Sequence, residues 1–384
     1  MTSPDFEFAT TARVVFGPGR SADLPALVNG WGERVVVVTG SRPDRHRALI
    51  EALPMAVAVV PVGGEPTVDM ARAATQTARE HDADVVISIG GGSVIDLGKA
   101  VAMLLGNGGD PMDYLEVIGG GKPIGHPSRP FAAVPTTAGT GAEVTMNAVL
   151  ASPEDGRKAS VRARSMLPAL ALVDPLLTVD CPPSVTASSG LDALTQCLEP
   201  LVSRNATPIT DALAAEGLRN AAAGLRAAYV DGSDVAARTE MARCSLLGGM
   251  SLANAKLGAV HGFAGVIGGL VPAAHGAICA ALLAPVTEAN VRALRERASN
   301  SRALEGYRRA AVQLTGRPDA TVEDGVAWIA QTVRQLRIGG LAAAGLDPAS
   351  ADDVVASTRN SSSTKGNPID LTDDELRHAL ESAM

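Results

Sequence analysis

Three side chains of metal-ligand type stand in otherwise apolar sequence: Asp192 in SSGLDALTQ, His261 in GAVHGF and His275 in PAAHGA. One carboxylate and two imidazoles with a position left open form a catalytic set for Zn2+ or Fe2+. Gln196 follows Asp192 by four residues, so a helix would carry both on one face. Its amide oxygen is a weak further donor, or a hydrogen-bond partner for a metal-bound water. Scattered histidines are also common as satisfied core residues. A glycine follows each one, Gly262 and Gly276, which predicts crowding at both places.

A second chemistry is written at residues 84–100. The run Val85 to Ile89 suits a buried parallel strand, and Gly90, Gly91 and Gly92 let the backbone turn and approach a ligand with no Cβ in the way. Ser93 then opens a helical pattern, with Asp96 three residues on as the partner of a capping box. The free amides and the positive end of that helix would face a diphosphate. Downstream, Thr136-Thr137-Ala138-Gly139-Thr140-Gly141 interleaves threonine and glycine in a loop able to line a cofactor. Taken alone, that loop is also an ordinary polar turn.

The elements that must position these residues fall into two halves. Strand-like stretches at Ala12–Phe16, Arg34–Val38, Ala56–Val62 and Val85–Ile89, with another at Pro130–Pro135, alternate with helical ones such as Thr67–His81. This predicts a doubly wound parallel sheet with ligands at the carboxyl ends of its strands. No G-x-G-x-x-G follows the early strands, where the chain reads Val37-Val38-Thr39-Gly40-Ser41-Arg42-Pro43, so the glycine turn belongs to a later strand. Beyond Pro183 helical Ala/Leu patterns take over at 186–202, 207–228, 234–256, 276–297, 302–315, 320–345 and 372–382. The expected organisation is α/β plus all-α, with a dinucleotide-binding domain over 1–182 and a helical metal and substrate domain over 183–384.

At 384 residues, with 46% hydrophobic and 19% charged residues, the chain can bury a sizeable core, and 3% aromatic content leaves Ala, Val and Leu to fill it. A net charge of −8 and no basic block argue against nucleic acid as a partner. No apolar run reaches the ~18 residues of a membrane span, and the first residues lack a secretory pattern, so a cytoplasmic protein is expected. The four cysteines, Cys181, Cys197, Cys244 and Cys279, show no Cys-x-x-Cys spacing. They read as reduced buried thiols without a role.

In these stretches the chain resembles the iron-containing alcohol dehydrogenase superfamily, which includes maleylacetate reductases and glycerol dehydrogenases. The motifs are GGGSVIDLGKA, PTTAGTGAEVT, VDPLLT, SSGLDALTQCLEP, HGFAG and AAHG, in order along nearly the whole chain. The resemblance implies an oxidoreductase that moves a hydride between NAD or NADP and a small alcohol, aldehyde or ketone, with a divalent metal polarising the oxygen, in a homodimer. Carried over, Gly91, Gly92 and Ser93 hold the diphosphate, Thr136, Thr137 and Thr140 line the cofactor, and Lys158 lies near the ribose. Asp192, His261 and His275 match three of four metal ligands. The family's fourth is a histidine where this chain has Gln196, and a further family histidine is replaced by Gly265.

An acidic residue often stands in the family where this chain has Gly40, followed here by Ser41, Arg42 and, farther on, Arg45. Loss of the carboxylate and gain of arginines favours acceptance of a 2′-phosphate, hence NADP(H). A maleylacetate-reductase-like enzyme would need a cation for its carboxylate substrate, for which Arg157, Arg162 and Arg164 are candidates. A dehydroquinate-synthase-like lyase fits less well, because 186–280 is poor in Lys and Arg. Gln196 and Gly265 also leave open a dinucleotide-binding protein whose catalytic site has decayed.

Overall fold

Four consecutive valines, Val35 to Val38, are all fully buried, yet they pack in two different cores. Val35 and Val37 join Leu24, Ile50 and Ile87, while Val36 and Val38 join Val68, Ala71 and Leu97. Successive side chains of a strand point to opposite faces, so this sheet is covered on both. The computed structural model describes residues 5–384. One compact unit is Ala9–Thr137 with Ala142–Thr178, and the other is Val179–Met384 with Ala138–Gly141 and residues 5–8.

In the first unit the order is β1 (Arg13–Phe16), α1 (Leu24–Leu27), β2 (Arg34–Gly40), α2 (Arg47–Glu51), β3 (Ala56–Val62), α3 (Val68–Glu80), β4 (Val85–Gly90), α4 (Gly92–Asn107), α5 (Pro111–Tyr114), β5 (Phe131–Pro135), β6 (Asn147–Ser152), β7 (Arg157–Arg162) and β8 (Leu170–Val173). Six strands form a sheet in the order β1-β8-β5-β4-β2-β3, parallel at every pairing. The doubly wound parallel sheet expected from the alternation is therefore present. An antiparallel hairpin, β6 with β7, was not foreseen.

Two expectations for this unit need correction. The helix after the glycines starts at Gly92 with Gly91 as N-cap and no side-chain cap, so Ser93 lies inside the first turn and no Ser93–Asp96 capping box forms. Asp96 instead accepts from the Val149 amide at 3.1 Å and lies 3.7 Å from Lys99 Nζ. The Lys99 ammonium, fully buried, donates to Thr145 Oγ1 at 2.8 Å and to the Asn147 carbonyl at 2.9 Å. Together these bonds tie α4 to the strand β6. Burial pushes the Asp96 carboxyl up to about 6 and the nearby buried Glu143 up to about 7, and pushes Lys99 down to about 8.

The second unit is all-helical: α6 (Pro183–Val202), α7 (Pro208–Val230), α8 (Val235–Ala255), α9 (Ala259–Ile267), α10 (His275–Arg297), α11 (Arg302–Thr315), α12 (Val322–Gln335), α13 (Ala351–Asn360) and α14 (Asp373–Ser382). A Thr372–Glu375 capping box opens α14, where the sequence pattern over 372–382 predicts a helix. The pattern over 320–345 is not one helix. It stops at Gln335, because Arg337 takes a left-handed φ of 56° and a Cβ on Gly340 would lie 2.3 Å from the Met384 carbonyl. Helix α10 is long and apolar enough to span a membrane, with mean hydropathy 1.3, but 72% of that window is buried in the unit. It is a core helix.

Candidate functional site

Helix α6 presents Asp192 and Gln196 one turn apart, and α10 presents His275 and Cys279 with the same spacing, so each helix directs two side chains at one point. His261 arrives on α9. One donor atom from each of Asp192, His261, His275 and Cys279 lies within 4.8 Å of the others. His261 Nε2 is 3.3 Å and His275 Nε2 4.0 Å from Asp192 Oδ1, and Cys279 Sγ is 3.7 Å from His275 Nε2. Gly276 permits the approach of the two helices: a Cβ there would stand 2.1 Å from the Ser188 carbonyl and 3.0 Å from Asp192 Cβ. The crowding expected after His261 is present as well, with Thr364 Oγ1 2.0 Å from a Cβ built on Gly262.

Glu199 fixes the orientation of His261. Its Oε2 lies 2.7 Å from His261 Nδ1, and its Oε1 accepts from the Val260 amide at 2.7 Å. Asn367 Oδ1 accepts from the Ala259 amide at 3.1 Å, so two side chains from remote segments cap α9. A carboxylate on Nδ1 directs the Nε2 lone pair at the cluster, the arrangement of a metal-bound imidazole. Asp192 Oδ1 and His261 Nε2 are buried and make no hydrogen bond. Buried polar atoms without partners are costly, and two of them converging with an imidazole and a thiol fit a divalent cation.

The electrostatics agree. Burial opposes charge on the His261 ring, yet Cys279, Asp192 and Glu199 hold its pKa well above the ordinary value. Burial likewise pushes Asp192 up, but His261 and His275 bring it below the usual carboxylate range. A cation bound there would compete with protonation of these groups.

Gln196 Nε2 donates to Asp192 Oδ2 at 3.1 Å, and its Oε1 is buried without a partner. Gly265 is exposed, with nothing within 4 Å of a would-be Cβ. Two residues escaped the reading of the sequence. The sequence reading gives Cys279 no role, although its position four residues after His275 is the available signal. Glu199, seven residues after Asp192 on the same helical face, was the other.

The sequence-derived cofactor residues divide between the units. β4 ends at Gly90, where a Cβ would meet the Val94 side chain at 2.6 Å, so only glycine lets α4 turn so closely off the strand. The Thr136 amide donates to the Gly90 carbonyl at 2.9 Å, and a Cβ on Gly91 would lie 3.3 Å from Thr137 Oγ1. Gly91, Gly92, Ser93, Thr136 and Thr137 are thereby brought together. The amides that open an uncapped helix have no intrahelical acceptor and favour an anion.

On the other side of β4 lies β2, ending at Gly40 with Ser41 and Arg42 exposed beyond it. From β2 the chain leads to β3, and from β4 it leads the opposite way to β5. This is the switch point at which open α/β sheets bind ligands. Thr140 is exposed and belongs to the helical unit, where the neighbouring Gly141 amide donates to Ser245 Oγ at 3.2 Å. Lys158 is half-buried on β7, 3.5 Å from Glu65, and Arg162 pairs with Glu116 at 2.8 Å.

Comparison with known proteins follows the same division. A family model for iron-containing alcohol dehydrogenase matches residues 11–175, and one for the C-terminal region of the Fe-containing alcohol dehydrogenase family matches residues 186–384. The choline dehydrogenase of Bacillus subtilis (strain 168) is 32% identical over 308 residues, 80% of this chain and 75% of that protein. Alcohol dehydrogenase 4 of Schizosaccharomyces pombe is 34% identical over 343 residues, 89% of this chain and 78% of that protein. The structure of sulfoacetaldehyde reductase from Bifidobacterium kashiwanohense in complex with NAD+ superposes with a TM-score of 0.86 at 27% identity, covering 99% of this chain and 98% of that one. Fold and kinship define an alcohol oxidoreductase. More particularly, the chain belongs to the iron-containing alcohol dehydrogenase family.

Proposed function

We propose that this chain interconverts small alcohols with their aldehydes or ketones, using NADP(H) or NAD(H), with a divalent metal held in the helical unit by Asp192, His261 and His275. The observation that carries this reading is the pair of buried atoms without hydrogen-bond partners, Asp192 Oδ1 and His261 Nε2, 3.3 Å apart with His275 Nε2 beside them. When bound, the cation polarises the substrate oxygen, and the nicotinamide donates or accepts the hydride.

The chain's own residues do the rest. Glu199 holds the His261 ring in one tautomer, and Gln196 steadies the Asp192 carboxylate through Oδ2. Gly91, Gly92 and Ser93 offer backbone amides to the diphosphate, Thr136, Thr137 and Thr140 line the cofactor, and Lys158 serves the ribose. Gly265 carries no side chain to move a proton, and its exposure admits water in that role. The open end of β2, with Arg42 exposed and no carboxylate at position 40, supports acceptance of the 2′-phosphate.

The test is absorbance at the reduced-nicotinamide band with a panel of aldehydes, ketones and alcohols, run with both dinucleotides on metal-loaded protein. Turnover of at least one pair is expected. A folded, metal-loaded protein that binds dinucleotide and turns over none of them would overturn the activity.

A further inference from the structure

Of the three buried cysteines, two face each other and one faces the metal cluster. Cys197 and Cys244 lie with their sulfurs 4.0 Å apart in the helical core. Cys279, fully buried, is the one cysteine in a group of metal-ligating side chains among the described residues. It stands one turn after His275 on α10, as Gln196 stands one turn after Asp192 on α6. The position on α6 holds an amide already bonded to Asp192. The matching position on α10 holds a sulfur within 4.8 Å of the other three donors.

We propose that Cys279 is the fourth metal ligand, so that the donor lost from α6 is supplied by α10 and the site is an Asp–His–His–thiolate centre that takes zinc in preference to iron. The inference rests on the proposed metal site and deepens it. Thiolate sulfur is a soft donor that selects zinc over oxygen-preferring cations, and N/O/S sites already bind Zn2+ more tightly than Fe2+. Coordination replaces the thiol proton with the metal: the S–H bond breaks, the S–metal bond forms and the proton leaves to solvent. Asp192 and Cys279 together then bring two negative charges to a divalent cation, which limits the charge left uncompensated beside these buried side chains.

The experiment uses the full chain, stripped with a chelator and reloaded with Co2+ as a spectroscopic stand-in for zinc. Wild type is expected to show an intense near-ultraviolet thiolate-to-cobalt charge-transfer band. Cys279→Ser should lose that band, keep the visible cobalt bands and bind Co2+ and Zn2+ at least ~10- to 100-fold more weakly, the range seen when even an outer partner of a ligand is lost. Adding Gln196→His to Cys279→Ser should restore affinity without the band. In direct competition zinc should displace Fe2+.

A wild type that binds cobalt without the band, binds no metal at all, or holds Fe2+ against zinc overturns the proposal. So does a Cys279→Ser protein that retains wild-type affinity. Circular dichroism on every sample, with Cys279→Ala as a second variant, guards against a loss that is only unfolding. Carbonyl reduction is followed on the same samples. A band without turnover supports the thiolate site and removes the activity, whereas turnover without a band removes the thiolate site alone.

Discussion

At the end of β4 the groups proposed to meet a ligand belong to the backbone, and they are neighbours in the chain: Gly91, Gly92 and Ser93 at the start of α4. In the helical unit the corresponding groups are side-chain atoms from α6, α9 and α10, brought together by interhelical packing. A backbone site is indifferent to most side chains nearby but intolerant of a Cβ where the ligand approaches. A side-chain site depends on each donor and on everything that holds its helix in place. The same kind of substitution should therefore fail differently in the two regions.

The sharpest test is Gly91→Val. Its Cβ lies 3.3 Å from Thr137 Oγ1, a side-chain contact that can give, while its branches fill the space over the turn. Dinucleotide binding should be lost by calorimetry, with circular dichroism and metal content unchanged. Unchanged dinucleotide affinity in the folded variant would break the comparison. Gly276→Ala should do the reverse. A methyl 2.1 Å from the Ser188 carbonyl forces α10 off α6, destabilising the protein by about 1–3 kcal/mol, the usual cost of overpacking. Metal retention should fall while the folded fraction still binds dinucleotide; elemental analysis and thermal unfolding read both.

A third test is pH. The carboxyls of Asp96 and Glu143 titrate at about 6 and about 7 in the folded chain because burial penalises their charge, against 3.8 and 4.5 ordinarily. The folded state binds more protons between those values, so stability of the α/β unit is fullest below the ordinary carboxylate range and declines as pH rises through about 6 and about 7. Lys99, lowered to about 8, acts in the opposite sense, returning stability between about 8 and 10.5. Denaturant titrations across this range should show the decline, and Glu143→Gln should flatten its upper part. A wild type whose stability is level there would refute the assignment.

The smallest effect concerns cofactor choice. A Cβ at Gly40 meets nothing within 4 Å, so Gly40→Asp fits without strain and should repel a 2′-phosphate while offering a ribose acceptor. A several-fold shift in kcat/KM toward NAD(H) is expected. An unchanged ratio would show that position 40 does not set the preference.

How much was legible follows from the same contrast. The turn at Gly90 to Ser93 and most strands could be read because their signal is local: a β-branched run, three glycines, then a helical period. The helix N-cap was misplaced by two residues, at Ser93 instead of Gly91, because Gly91 supplies a cap that leaves no side-chain signature. Asp192, His261 and His275 were found as unusual residue types in apolar sequence. Cys279 and Glu199 were not, since a cysteine and a glutamate on helices look ordinary until α6, α9 and α10 are packed. Helix α9 itself was missed, being short and interrupted by Gly262 and Gly265.

That shortness bears on the order in which the molecule folds. Nine residues are too few for a helix to hold itself together in water. The two side chains that cap α9 lie 61 and 108 positions away along the chain, at Glu199 and Asn367. Both loops must close before His261 has a fixed place, and closure of long loops is an entropic delay. The imidazole is therefore positioned late, after α6 and the segment before α14 have docked. The Ala259 and Val260 amides report that docking, and protection from hydrogen exchange should reach them after it reaches the long core helices.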